Sequence, residues 1–373
     1  MNKVVLPLHG GEALSLVAKR GFSLNELLDF SSNTFFSVRD LTQTLASKTE
    51  VELGHYPDPE NFFLSSALAY YESVAFENIL ATNGSSELIH LIFLALKPKK
   101  VLLIGPVFSE YPRACEIFGV DFEVYTPPEE QAFDFLADDL KHIKERSFDL
   151  MIFCSPNNPA GATYLTVSEL IEQANAKYVL WDASYKDFLY GESSFELYSK
   201  IIQDSVLNKK LLCLCSLTKF FACPGIRLGY LIAHSELVGR LRKVQNFWAI
   251  GSHAATIGQV LIENVALYRS YLDELKILKK KFHKTLLETE AFDNLLSGPS
   301  FITAKLKSRK SFSINTGSYS FFVKEKFLEK GIILRCCDNI LGMPPGYLRM
   351  QVRDEQSIQR LKQAFLDYLS DIC

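Results

Sequence analysis

Leu211-Leu212-Cys213-Leu214-Cys215-Ser216-Leu217-Thr218-Lys219-Phe220-Phe221 opens the stretch that decides the fold, and Leu228-Gly229-Tyr230-Leu231-Ile232-Ala233 closes it. The first five residues are apolar without polar alternation, as a strand covered on both faces requires. A polar turn follows at once and ends on a lysine. The second run begins too soon for a full helical crossover, so one of the two strands is expected to run antiparallel.

The same pattern recurs outward from this stretch. Short runs rich in Val, Ile and Leu fall at 78–81, 101–104, 122–125, 150–154 and 178–181, separated by polar turns and helical segments. Strands alternating with helices predict an α/β fold: a mostly parallel, seven-stranded sheet flanked by helices. The character changes after about residue 235. Residues 236–250 and 254–289 read as long amphipathic helices, the second broken, and strands are expected at 301–305, 332–335 and 347–352 before a closing helix over 355–369. These predict a large domain over 46–250 and a small α+β domain over 251–373, which residues 1–45 join.

Composition narrows the function classes. The 373 residues carry 40 Lys+Arg against 43 Asp+Glu, a net charge of -3, which offers no concentrated positive field for nucleic acid. No stretch approaches 18 uninterrupted apolar residues, so no membrane span is expected. The eight cysteines include no C-x-x-C pair, and no metal site is expected. Free thiols in apolar runs and a start without an export signal predict a cytoplasmic protein.

Ligands of open α/β sheets bind beyond the carboxyl ends of the strands. Thr82-Asn83-Gly84-Ser85-Ser86-Glu87 follows the first run, Ser155-Pro156-Asn157-Asn158-Pro159-Ala160-Gly161 the fourth, and Asp182-Ala183-Ser184-Tyr185 the fifth. Ser216-Leu217-Thr218-Lys219 follows the sixth, with Arg227 eight residues beyond the lysine. Each alone has a plainer reading: a helix N-cap, a turn, a surface charge, a lysine that reaches solvent. At one sheet edge they amount to a complete site for pyridoxal 5′-phosphate. That cofactor needs an amine for its aldehyde, a carboxylate for its ring nitrogen, donors for its phenolate oxygen, and N–H groups with a cation for its phosphate. Lys219, Asp182, Tyr185 with Asn158, and Gly84, Ser85 and Ser86 with Ser216 and Arg227 fill those needs in turn. Lys219, Asp182 and Tyr185 are the expected catalytic residues.

These motifs resemble the fold-type I aminotransferase superfamily over essentially the whole chain. The segment from Ser216 to Tyr230 is most similar to the histidinol-phosphate aminotransferase and threonine-phosphate decarboxylase branch. The resemblance implies that Asn158 contacts the phenolate oxygen and that Tyr111, in Gly105-Pro106-Val107-Phe108-Ser109-Glu110-Tyr111, stacks on the pyridine ring. It implies that Tyr56, in His55-Tyr56-Pro57-Asp58-Pro59, reaches the cofactor phosphate of a second subunit, hence a homodimer with shared sites. Arg349, in Gly346-Tyr347-Leu348-Arg349, takes the role of the arginine that clamps the substrate α-carboxylate.

The opening His9-Gly10-Gly11 and Leu28-Asp29-Phe30-Ser31-Ser32-Asn33 look like those of threonine-phosphate decarboxylases. By that likeness His9, Gly10, Asn33 and Arg335 face the substrate, with His9, Asn33 and Arg335 near its phosphate. The chain departs from the pattern at Thr34-Phe35-Phe36, where Pro and Gly are usual, and at Ala183, where an acidic residue is common. The implied reaction is decarboxylation of threonine phosphate or serine phosphate in cobamide biosynthesis. Transamination of histidinol phosphate or an aromatic amino acid is the alternative. A non-catalytic regulator on the same fold is a second alternative, against which the presence of both Lys219 and Asp182 argues. A nucleotide-dependent oxidoreductase is weaker still, since no G-x-G-x-x-G follows a strand.

Overall fold

A computed structural model describes residues 10–307 and 318–371. Among the described residues thirteen strands fall in three sheets. β1 is Leu28–Asp29; β2 Ile79–Thr82, β3 Lys100–Ile104, β4 Asp121–Tyr125, β5 Phe148–Cys154, β6 Ala176–Asp182, β7 Leu211–Ser216 and β8 Gly229–Ala233 follow. β9 Phe292–Ser297, β10 Phe301–Leu306, β11 Ile332–Ile333, β12 Arg335–Cys336 and β13 Tyr347–Gln351 complete the set.

The main sheet has the order β2-β8-β7-β6-β5-β3-β4. β8 is antiparallel to both β7 and β2, and every other pairing is parallel. The carboxyl ends of the six codirectional strands therefore share one edge, where Thr82, Cys154, Asp182 and Ser216 emerge. Both faces of the sheet are covered, which explains the unbroken apolar runs. On β5, Leu150 and Ile152 enter one core while Met151 and Phe153 enter the other. Helices Gly84–Leu96 and Glu110–Phe118 close the first face, and helices Phe62–Glu72 and Ser193–Ser205 close the second.

The later sheet, β12-β13-β10-β9, is antiparallel throughout. Register sets Arg335 directly opposite Arg349. β1 pairs in parallel with β11, which ties residues 28–29 to the segment beside the arginine strands.

The helix expected over 236–250 stops at Arg242. Beyond it the chain lays Gln245 Nε2 on the carbonyl of Ala81 at 2.9 Å, and Trp248 takes a left-handed φ of 56°. The helix expected over 254–289 is three: Ser252–Glu263, Val265–Arg269 and Leu272–Glu288. Asn264 makes the first break, with its side-chain amide donating back to Val260 O at 2.8 Å. Among the described residues no helix is long and apolar enough to cross a membrane.

Candidate active site

A cavity of about 590 Å³ opens at the carboxyl edge of the main sheet. Lys219 stands on its wall, in the short helix Leu217–Phe220 that starts as β7 ends. Burial, then the nearby charges of Arg349 and Arg227, lower its amine to a pKa of about 8; Asp182 opposes them. Desolvation disfavours the ammonium form, so about a tenth of this lysine is a neutral nucleophile at pH 7, far more than of a lysine in water.

Asp182 ends β6 and is 6% exposed. Oδ1 accepts the N–H of Ser184 at 3.0 Å, and Oδ2 accepts the phenol of Tyr111 at 2.6 Å. Burial raises its carboxyl pKa, while Ser184, Tyr111 and Lys219 all favour the ionised form. Tyr185 accepts Asn33 Nδ2 at 2.5 Å. Neither Asp182 nor Tyr185 lines the cavity itself: Tyr185 meets its wall through Asn33, and Asp182 feels the charge of Lys219 on that wall.

The other end of the cavity suits an anion. Helix Gly84–Leu96 presents its N-terminus there, and Ser85 and Ser86 line the wall with Arg227. Gly84 has a φ of 77°, and a Cβ on it would be 2.6 Å from Arg227 Nη2, so the guanidinium packs where only glycine leaves room. A Cβ on Gly229 would be 2.7 Å from the Ser85 nitrogen. Ser216 lies beneath the wall and pairs with Thr218 Oγ1 at 2.8 Å; Thr218 itself lines the cavity.

Arg335 and Arg349, each 4% exposed, line the cavity from the second sheet. Arg349 donates from Nη1 to Asn158 Oδ1 and from Nη2 to the carbonyl of Ser31 at 2.9 Å, and its buried Nε has no protein partner. Arg335 donates to Cys336 O at 2.7 Å and to Asn339 Oδ1 at 2.8 Å. Gly10, Asn33 and Asn158 also line the cavity. His9 lies outside the described residues.

One expected residue is placed differently. Tyr111 is fully buried on the inward face of its helix, committed to Asp182, and it is Phe108, three residues earlier and ahead of the helix, that lines the cavity. Residue type could not separate the two aromatics; the helix boundary between them does. Tyr56 is away from the cavity, 82% exposed and stacked on Trp248 at 4.9 Å between ring centroids. Thr218, Ser31 and Ser32 also line the cavity, residues that stand inside the quoted motifs without an assigned role, and Ile340 lies outside every motif.

A partly neutral buried lysine, a buried carboxylate and an anion-binding helix start with an arginine meet the demands of pyridoxal phosphate. The glycine at the arginine contact and the buried Arg349 Nε, which has no partner in the protein, fit the same reading. Fold and site together define a fold-type I pyridoxal-phosphate protein. The profile of the aminotransferase class I and II family matches residues 18–365, and the chain belongs to that family, which depends on this cofactor. It is 26% identical over 375 residues to the threonine-phosphate decarboxylase of Salmonella typhimurium, covering 98% of this chain and 97% of that protein. It is 27% identical over 327 residues to a histidinol-phosphate aminotransferase of Caldanaerobacter subterraneus subsp. tengcongensis, covering 86% of each. The crystal structure of the Sinorhizobium meliloti histidinol-phosphate aminotransferase with pyridoxal-5′-phosphate shares the fold, with a TM-score of 0.77, 14% identity, and coverage of 100% of this chain and 99% of that one.

Proposed function

We propose that the protein decarboxylates an O-phosphorylated L-amino acid, threonine phosphate or serine phosphate, to an amino-alcohol phosphate of the kind built into cobamide side chains. The observation that carries this reading is the cross-strand pair Arg335 and Arg349, both buried and both on the cavity wall. Residues paired across antiparallel strands have Cα atoms about 4.5–5.5 Å apart. Two guanidinium groups so close suit a small substrate with two anionic groups, a carboxylate and a phosphate. The similarity to threonine-phosphate decarboxylase over nearly the whole chain supports it.

The bound cofactor supplies an aldehyde and a ring that draws electrons from the substrate Cα. With the cofactor bound, Asp182 would keep a negative charge for the ring nitrogen, and Tyr185 and Asn158 would offer donors for the phenolate oxygen. Ser85, Ser86 and Arg227 would hold the cofactor phosphate, and Phe108 would take the stacking role expected of Tyr111. Arg349 grips the α-carboxylate on two N–H groups and sets the orientation of the bond to Cα that breaks. Arg335 and Asn33 hold the substrate phosphate. Lys219 Nζ in its ammonium form would supply the proton that Cα gains once carbon dioxide has left, and a pKa lowered to about 8 makes it a readier donor than a free lysine. Two such sites in a homodimer, each receiving Tyr56 from the other subunit, complete the proposal.

The similarity to histidinol-phosphate aminotransferases favours a second reading, transamination, in which Lys219 Nζ removes a proton from Cα. Product analysis separates the two. Phosphothreonine, phosphoserine and histidinol phosphate are each supplied with and without 2-oxoglutarate. Carbon dioxide from a phospho-amino acid without 2-oxoglutarate supports decarboxylation. Amine transfer from histidinol phosphate, with no carbon dioxide from either phospho-amino acid, rejects it.

A further inference from the structure

Ser31 joins the start of the described chain to the arginine strand. Its N–H and its hydroxyl both donate to Asp29 Oδ1, each at 2.7 Å. The hydroxyl oxygen accepts the N–H of Gly11 at 2.8 Å, and the Ser31 carbonyl accepts Arg349 Nη2 at 2.9 Å. All the polar groups of Ser31 are therefore engaged, and at 1% exposure water does not compete for them. The strap above it is close-fitting: a Cβ on Gly10 would lie 2.1 Å from the Ser31 carbonyl oxygen and 3.3 Å from Arg349 Nη2.

We propose that Ser31 is a positioning residue that fixes the plane of the Arg349 guanidinium, its hydroxyl pinning the Gly10–Gly11 strap over the arginine while its carbonyl holds Nη2. This rests on the reading of Arg349 as the group that grips the substrate carboxylate. With Nη1 on Asn158 and Nη2 on Ser31, the guanidinium is held at two points on the cavity wall. Loss of the Ser31 hydroxyl leaves the Gly11 N–H without its acceptor and loosens the strap. The carboxylate then meets an arginine whose orientation must be fixed on binding, which costs affinity for that group alone.

The test is calorimetric titration of the cofactor-loaded enzyme with ligands that lack an amine and so do not turn over. 3-Phosphoglycerate carries a carboxylate and a phosphate, 2-hydroxyethyl phosphate the phosphate alone, and 2-oxoglutarate carboxylates alone. Ser31→Ala is expected to weaken 3-phosphoglycerate about fivefold, the scale of one lost hydrogen bond, and to leave 2-hydroxyethyl phosphate within about twofold. Gly10→Ala, whose Cβ would press on the Ser31 carbonyl that holds Nη2 while leaving the hydroxyl in place, should give the same selective loss. If wild type binds 2-oxoglutarate instead of 3-phosphoglycerate and the loss falls there, the role of Ser31 stands and the phospho-amino-acid reading falls. Equal losses with and without the carboxylate overturn the proposal. So does the absence of any selective loss, including the case in which wild type holds no carboxylate ligand.

Discussion

Replacing Tyr111 with phenylalanine removes one oxygen from beneath the cofactor site and keeps the buried ring. That oxygen donates to Asp182 Oδ2 at 2.6 Å, deep in a carboxylate environment that is 6% exposed. A hydrogen bond to a charged group contributes about 1.5–3 kcal/mol, and no water has ready access to replace it. Burial already raises the Asp182 carboxyl, and the phenol is one of the groups that favour its ionised form. Without it the carboxyl rises further, so the fraction ionised falls, and it falls most at low pH. In the proposed mechanism catalysis needs the ionised form for the ring nitrogen. On the acid side, kcat/KM should therefore drop roughly ten- to hundredfold, with a deficit that shrinks as pH rises. The assay is a pH profile of kcat/KM for variant and wild type, with far-ultraviolet circular dichroism to show that the fold is kept. A variant profile within about twofold of wild type at every pH would refute the reasoning.

Arg349→Lys should lower kcat/KM by about a hundredfold in steady-state kinetics, because an ammonium cannot supply the two-pronged grip and lost charge-assisted bonds cost about 3 kcal/mol together. Lys186→Met should cost about 3–5 kcal/mol in denaturant unfolding, since Lys186 Nζ lies 2.9 Å from Glu72 and 3.1 Å from Asp187 and all three side chains are under 10% exposed. Mixing inactive Tyr56→Ala and inactive Lys219→Ala subunits should restore part of the activity, because one site of a mixed dimer keeps both groups. No recovery after subunit exchange would count against shared sites.

How much of this was legible depended on which interactions are local in sequence. The strands of the main sheet announce themselves because both faces are buried, and the polar residues after them fall at one edge by topology alone. β9 was not anticipated: Phe292-Asp293-Asn294-Leu295-Leu296-Ser297 is an edge strand with half its residues polar, and its pairing with β10 is set by tertiary contact. Helix Tyr319–Glu329 lacks a clear apolar stripe and was likewise unmarked. Phe108 and Tyr111 are both aromatic and three residues apart, and composition cannot tell which one meets the cavity. The Lys186 ion pair with Glu72 spans more than a hundred residues and leaves no local pattern. Ser31 was quoted as part of a motif, but its link to Arg349 exists only once β1 and β13 come together.

The account centres on Lys219 as the residue that carries the cofactor. Purified protein loaded with pyridoxal phosphate should be yellow, and borohydride reduction followed by peptide mapping should find the cofactor mass on the peptide containing Lys219. Capture of added cofactor should accelerate as pH rises towards about 8 and level off above it, because the neutral amine is the reactive form and burial sets its pKa there. The adduct on a different lysine, or no adduct on a folded and cofactor-loaded protein, would contradict the assignment of the whole site.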